Sequence, residues 1–142
     1  VHPNSRNVIP GQVKFSIDLR NATDAECERM DQDIRAVAAK LSADTGLPIR
    51  IEEVSNYPAQ EFHPDCVDAV GRAAAKLGYS HMPAVSGAGH DAVYMARLAP
   101  SGMIFIPCKD GISHNEIEDA KPEHIEAGCN VLLHAMLERA GT

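Results

Sequence analysis

Residues Val13 to Arg20 alternate without a break: Val13, Phe15, Ile17 and Leu19 fall on one face, and Lys14, Ser16, Asp18 and Arg20 on the other. A side-chain period of two belongs to a strand buried on one face only, so an antiparallel or mixed sheet is predicted here. The period then changes to that of a helix. Thr23 with Glu26 three residues on is a capping-box signature, and Cys27, Met30, Ile34, Val37 and Leu41 recur at helical spacing up to Gly46. Leu47 to Val54 reads as a second strand, with Ile49 and Ile51 inward and Arg50 and Glu52 outward. Strand, helix, strand predicts half of an α/β sandwich with helices on one face of its sheet.

A polar link, Asn56 to Phe62, follows, and Val67, Val70, Ala74 and Leu77 then mark a second helix that stops at Gly78. The change of character places a domain boundary near residue 60, dividing the chain into 1–60 and 61–142. Met82 to Val85 leads into Ser86-Gly87-Ala88-Gly89 and a short helix from about Asp91 to Leu98. Met103 to Ile106 is apolar on both faces, as in a buried parallel strand. It leaves through the long polar turn Pro107 to Asn115. A last helix, Pro122 to Ala140, carries Ile125, Cys129, Leu132 and Met136 as its expected packed face, with Pro122 in the first turn.

Thirteen Lys and Arg against twenty Asp and Glu give a net charge of -7, with no basic cluster. The electrostatic footprint of a nucleic-acid partner is missing, and no nucleic acid is expected. The longest apolar run, Met103 to Pro107, is too short to cross a bilayer, and no charged-then-apolar leader opens the chain, so no membrane partner is expected. Cys27, Cys66, Cys108 and Cys129 stand far apart with no Cys-x-x-Cys pair, the pattern of free thiols in a reducing cytoplasm; disulfides are the alternative, with three possible pairings. The chain opens on Val1, inside the loop-like His2-Pro3-Asn4-Ser5, as expected of a stretch cut from something longer.

In open α/β sheets ligands collect beyond the carboxyl ends of the parallel strands, and the loops 86–91 and 109–115 take that position. Gly87 and Gly89 bare backbone N–H groups ahead of a helix, which can hold a carboxylate or a polarised carbonyl; a plain strand-to-helix turn is the other reading. His114, in Gly-Ile-Ser-His-Asn, can serve as a metal ligand or general base, or stand simply solvated. Arg20, on the polar face of the first strand, can grip a carboxylate through two parallel hydrogen bonds, or pair with Asp18 in solvent. His63, His81, His124 and His134 take surface or core readings, and Met30 and Met136 read as core filler.

Three separated motifs in order carry a family resemblance over essentially the whole chain. Pro3-Asn4-Ser5-Arg6-Asn7-Val8-Ile9-Pro10-Gly11 with Phe15-Ser16-Ile17-Asp18-Leu19-Arg20 resembles the second half of the lid domain in metal-dependent amidohydrolases of the hydantoinase/carbamoylase type. Ser86-Gly87-Ala88-Gly89-His90-Asp91-Ala92, and then Met103 to Pro107 with Gly111-Ile112-Ser113-His114-Asn115, resemble that family's closing catalytic segment. The resemblance implies a partial ferredoxin-like α+β lid in 1–60, which would also make a homodimer contact. It implies the carboxyl-terminal part of a zinc-aminopeptidase-like α/β catalytic domain in 61–142.

The implied reaction is hydrolysis of the C–N bond of N-carbamoyl amino acids or related ureido acids, releasing amino acid, ammonia and carbon dioxide. Two divalent metal ions (zinc, manganese, cobalt or nickel) would activate a bridging water, and lid closure would exclude bulk solvent. By the same resemblance Asn7 and Arg20 grip the substrate carboxylate, Gly87, Ala88 and Gly89 line its pocket with His90 in support, and His114 is the last metal ligand. The general-base glutamate and the other ligands have no counterpart in this sequence, so the chain alone is expected to be inactive. Glu116 and Cys108 depart from the family's usual residues. A related metallo-exopeptidase or aminoacylase, and a non-catalytic dimerisation or binding module, are the alternatives.

Overall fold

Thr23 opens the first helix as the sequence predicts: its hydroxyl accepts the Glu26 N–H at 3.3 Å, and α1 runs Asp24–Thr45. Only half of the capping box forms. The Glu26 carboxylate turns to Arg29 instead of to the Thr23 N–H, at 2.5 Å. The helix ends at Gly46, whose φ of 71° is the left-handed geometry that a glycine enters without steric cost. The computed structural model describes residues 1–141, and the chain forms two compact units, Val1–Ala59 and Gln60–Thr142.

In the first unit α1 is the sole helix, and none of its residues is buried. Its predicted apolar stripe is half-covered at Cys27, Met30 and Ile34 and exposed at Val37 and Leu41. Before it, His2 and Gln12 exchange backbone hydrogen bonds at 2.8 and 3.0 Å, an isolated antiparallel bridge that closes the loop containing Asn7. After it, the Asp24 carboxylate accepts the Ala59 N–H at 2.6 Å and ties the end of the unit to the start of the helix.

The second unit is built on α2 (Pro64–Lys76) and α4 (Pro122–Ala140), with the short α3 (Asp91–Ala96) and a single 3₁₀ turn at Lys109–Gly111 between them. His63 caps α2, its Nδ1 accepting the Asp65 N–H at 3.2 Å, and Pro64 occupies the first turn, where no amide donor is needed. Small residues let α2 and α4 approach closely: the buried core is Ala69, Ala73 and Ala74 against Val131 and Ala135. The Arg72 guanidinium reaches the Glu138 carboxylate at 2.5 Å across the same pair of helices, and Asn130 Nδ2 donates to Tyr79 Oη at 3.2 Å.

The packed face of α4 differs from the sequence expectation. Ile125, Cys129, Leu132 and Met136 are all exposed, and the buried stripe is the same spacing shifted by one residue, with Val131 and Ala135 at its centre. Bulk misled the reading, because close helix contact selects small side chains over large ones. The shift also brings Gly128 inward, where a Cβ would lie 2.7 Å from Ile106 Cγ2. A Cβ on Gly102 would lie 3.1 Å from Cys66 Cβ. Segment 102–106 therefore rests on both helices, with Ile104 against the core cluster.

No strand forms among the described residues. Segments 13–20, 47–54 and 103–106, expected as strands, make no ladder hydrogen bonds with one another, and Val13, Phe15 and Ile17 are exposed. A strand exists only as a member of a pair, since its N–H and C=O groups point sideways to a neighbour and not along the chain. The helical half of the expected α/β architecture is thus in place, and the sheet and ferredoxin-like lid topology are not formed by these residues. No helix is long and apolar enough to cross a membrane among the described residues, and the four cysteines are unpaired.

Candidate functional site

In the first unit the predicted carboxylate-gripping groups sit on exposed backbone. Arg20 Nε and Nη2 donate to the Asp18 carboxylate, at 3.0 Å to Oδ1 and 2.6 Å to Oδ2. This is the fork geometry by which a guanidinium recognises any carboxylate. The hydrogen bonds to Arg20 hold the Asp18 carboxyl below its usual range, and Asp18 in turn raises the already high Arg20 value. Asn7 Oδ1 accepts the Ser5 hydroxyl at 2.7 Å, which leaves the Nδ2 hydrogens, the donors that a carboxylate would take, outside that bond.

The second unit carries two loops. In the first, the Ser86 hydroxyl accepts the Ala88 N–H at 3.2 Å and meets His90 Nε2 at 2.8 Å. The His90 ring lies 5.5 Å from the Phe105 ring, tilted by 60°. Gly89 has open space where a side chain would be, and neither Gly87 nor Gly89 has a positive φ. A turn that only glycine can make is therefore not required at either position. Ser86 is the residue that the sequence reading left without a role. Its signal was a Ser-x-x-x-His spacing straddling the glycines.

The second loop is shaped by its own backbone. Asp110 and His114 both have φ of 55°, a left-handed conformation uncommon outside glycine that Asn, Asp and His enter more readily than other side chains. The Glu118 carboxylate accepts the His114 N–H at 2.8 Å, and Asn115 Oδ1 accepts the Ile117 N–H at 3.1 Å. The Lys109 N–H donates to the Asp119 carbonyl at 2.7 Å and closes the base of the loop. These bonds present His114 with its imidazole exposed and its backbone anchored.

His90 and His114 share no hydrogen bond or ring contact among the described residues, and no three His, Cys, Asp or Glu side chains gather there in a way that could hold a metal ion. His114 can supply one ligand. The residues present do not by themselves compose a mononuclear or dinuclear site, since a protein-held ion of this kind takes three or four protein donors. An open hollow of about 330 Å³, lined by Glu61, His63 and residues 96–101, shares no residue with either loop.

Residues 5–138 match the model of "Peptidase family M20/M25/M40". An N-carbamoyl-L-amino-acid amidohydrolase of Rhizobium meliloti is 49% identical over 138 residues, covering 97% of this chain and 33% of that protein. An allantoate amidohydrolase of Bacillus subtilis is 33% identical over 138 residues, again 97% of this chain and 34% of its own length. Among solved structures, an amidase of the hydantoinase/carbamoylase family from Burkholderia multivorans superposes with a TM-score of 0.94 at 57% identity, over 99% of this chain and 34% of that one. The chain thus spans about a third of the length of the relatives it matches. With a family model matched from residue 5 to residue 138, the chain belongs to peptidase family M20/M25/M40.

Proposed function

We propose that this chain is the carboxyl-terminal part of a hydrolase acting on the C–N bond of N-carbamoyl amino acids or related ureido acids. The observation that carries the reading is the 49% identity, along nearly the whole chain, to a relative named for that activity. In this proposal residues 1–60 are the second half of a lid that also makes a homodimer contact, and 61–142 close the catalytic domain. Arg20 and Asn7 bind the substrate carboxylate, a role supported by the fork that Arg20 already forms on Asp18. The backbone of Gly87, Ala88 and Gly89 lines the pocket, with His90 beside it.

His114 contributes one ligand to a pair of divalent ions whose other ligands, with the general-base glutamate, lie outside these 142 residues. The anchored backbone and exposed ring of His114 support that role. The reading places the protein in the cytoplasm, in keeping with four cysteines too widely spaced for a redox or structural-zinc motif.

Ammonia release from N-carbamoyl amino acids tests this in two arms. The 142-residue chain with added zinc, manganese or cobalt is expected to give none, and the intact enzyme is expected to lose metal-dependent turnover on His114→Ala. Turnover by the chain alone would remove the fragment reading; an intact enzyme indifferent to His114→Ala would remove His114 from the metal site. The second reading is a non-catalytic dimerisation or binding module. A stable dimer of the intact protein with no hydrolytic activity would select it.

A further inference from the structure

Two histidines start helices in the second unit, and they use their rings differently. His63 spends Nδ1 on capping, accepting the Asp65 N–H. His90 occupies the same position ahead of α3, with extended backbone at φ -138° and ψ 149°, yet makes no side-chain cap bond. Its Nε2 turns instead to Ser86 Oγ at 2.8 Å, and Phe105 flanks the ring. Nδ1 has no partner among the described residues.

We propose that Ser86 is a positioning residue for His90: its hydroxyl donates to Nε2, holds the neutral ring as the Nδ1–H tautomer, and so presents Nδ1–H as a donor to an acceptor oxygen of the ligand. A hydroxyl has one hydrogen and two acceptor sites. Ala88 N–H already occupies an acceptor site of Ser86 Oγ. Donation to Nε2 then uses the hydrogen, whereas accepting from an Nε2–H would fill both acceptor sites and leave that hydrogen without a protein partner. Which imidazole nitrogen carries the proton is set by the hydrogen bond that the other one makes. The Phe105 ring restricts rotation about the side chain, so the fixed tautomer also has a fixed direction. This rests on the amidohydrolase reading for what the donor edge meets: a carbonyl or carboxylate oxygen of a ureido acid, which a ring nitrogen can serve only while protonated.

The test is the tautomer itself. Long-range ¹H–¹⁵N spectra of the ¹⁵N-labelled chain, at a pH where the ring is neutral, separate a protonated from an unprotonated ring nitrogen. His90 is assigned among the seven histidines by its loss in His90→Gln. The wild-type ring is expected to be mainly Nδ1–H. Ser86→Ala is expected to move the tautomer ratio about fivefold toward Nε2–H, the worth of one net neutral hydrogen bond. Ser86→Thr, which keeps the hydroxyl, is expected to keep the wild-type ratio and so separates the hydrogen bond from a general loosening of the loop. A wild-type ring that is mainly Nε2–H, an unchanged ratio in Ser86→Ala, or a Ser86→Thr ring that behaves like the alanine variant would each overturn the proposal. Neither substrate nor metal enters the measurement, so its failure leaves the amidohydrolase reading standing. An inactive intact enzyme would, conversely, leave the tautomer result untouched.

Discussion

Replacing Gly128 by alanine sets two known effects against each other at one atom. Inside a helix such as α4, alanine is favoured over glycine by about 1 kcal/mol. The new methyl, however, would lie 2.7 Å from Ile106 Cγ2, well inside ordinary carbon contact. Relief of such overpacking by side-chain and backbone shifts costs about 1–3 kcal/mol. The sum is a change between about zero and 2 kcal/mol, destabilising.

Removing the obstacle separates the terms. In an Ile106→Ala background the same Gly128→Ala change is expected to stabilise by about 1 kcal/mol, giving a coupling of about 1–3 kcal/mol between the two sites. Native-state hydrogen exchange of the α4 amides reads this locally, without interference from unfolding of the first unit. If Gly128→Ala stabilises equally in both backgrounds, segment 102–106 does not rest on α4 and the packing argument fails.

Gly46 is a glycine for the opposite reason: no atom lies within 4 Å of its added Cβ, but its φ is 71°. Gly46→Ala is expected to cost about 1–2 kcal/mol in thermal unfolding of α1, and Gly46→Asn less. Asp18 is held below its usual carboxyl range chiefly by hydrogen bonds from Arg20. That pair therefore contributes above the ordinary carboxyl value and is lost as the pH falls through the lowered one. Carboxyl ¹³C titration is expected to show Asp18 returning upward in Arg20→Gln, and an unmoved titration would disprove the assignment. In the intact enzyme Arg20→Ala is expected chiefly to raise KM for carboxylate-bearing substrates, by about 10- to 100-fold for a charged hydrogen-bonded pair. An unchanged KM would take Arg20 out of the clamp.

Helix limits were legible because they are written locally. Thr23 and Gly46, Gly78, and Pro122 and Ala140 mark ends that the structure keeps within a residue or two. Helix faces were less so. In α4 the residues at 125, 129, 132 and 136 formed an apolar stripe, and yet contact fell to Gly128, Val131 and Ala135, each one position earlier. Hydrophobic periodicity ranks apolarity, whereas close packing ranks volume. The sheet was the least legible because pairing is a property of two segments at once. The alternation at 13–20 predicts a segment with one buried face, but nothing in it names a neighbour, and Val13, Phe15 and Ile17 are exposed.

The same alternation bears on the proposed carboxylate clamp. A period of two puts Asp18 and Arg20 on one face, about 7 Å apart along a strand. Neighbours at that spacing in extended chain are within reach of a long guanidinium, and the fork on Asp18 is such a contact. In the proposed clamp an incoming carboxylate would exchange with Asp18 for the same two donors. A neutral amide presents no second charged oxygen and gains much less from the exchange. If Arg20 is the proposed clamp, a preference for acids over amides would follow from these two residues of one short segment.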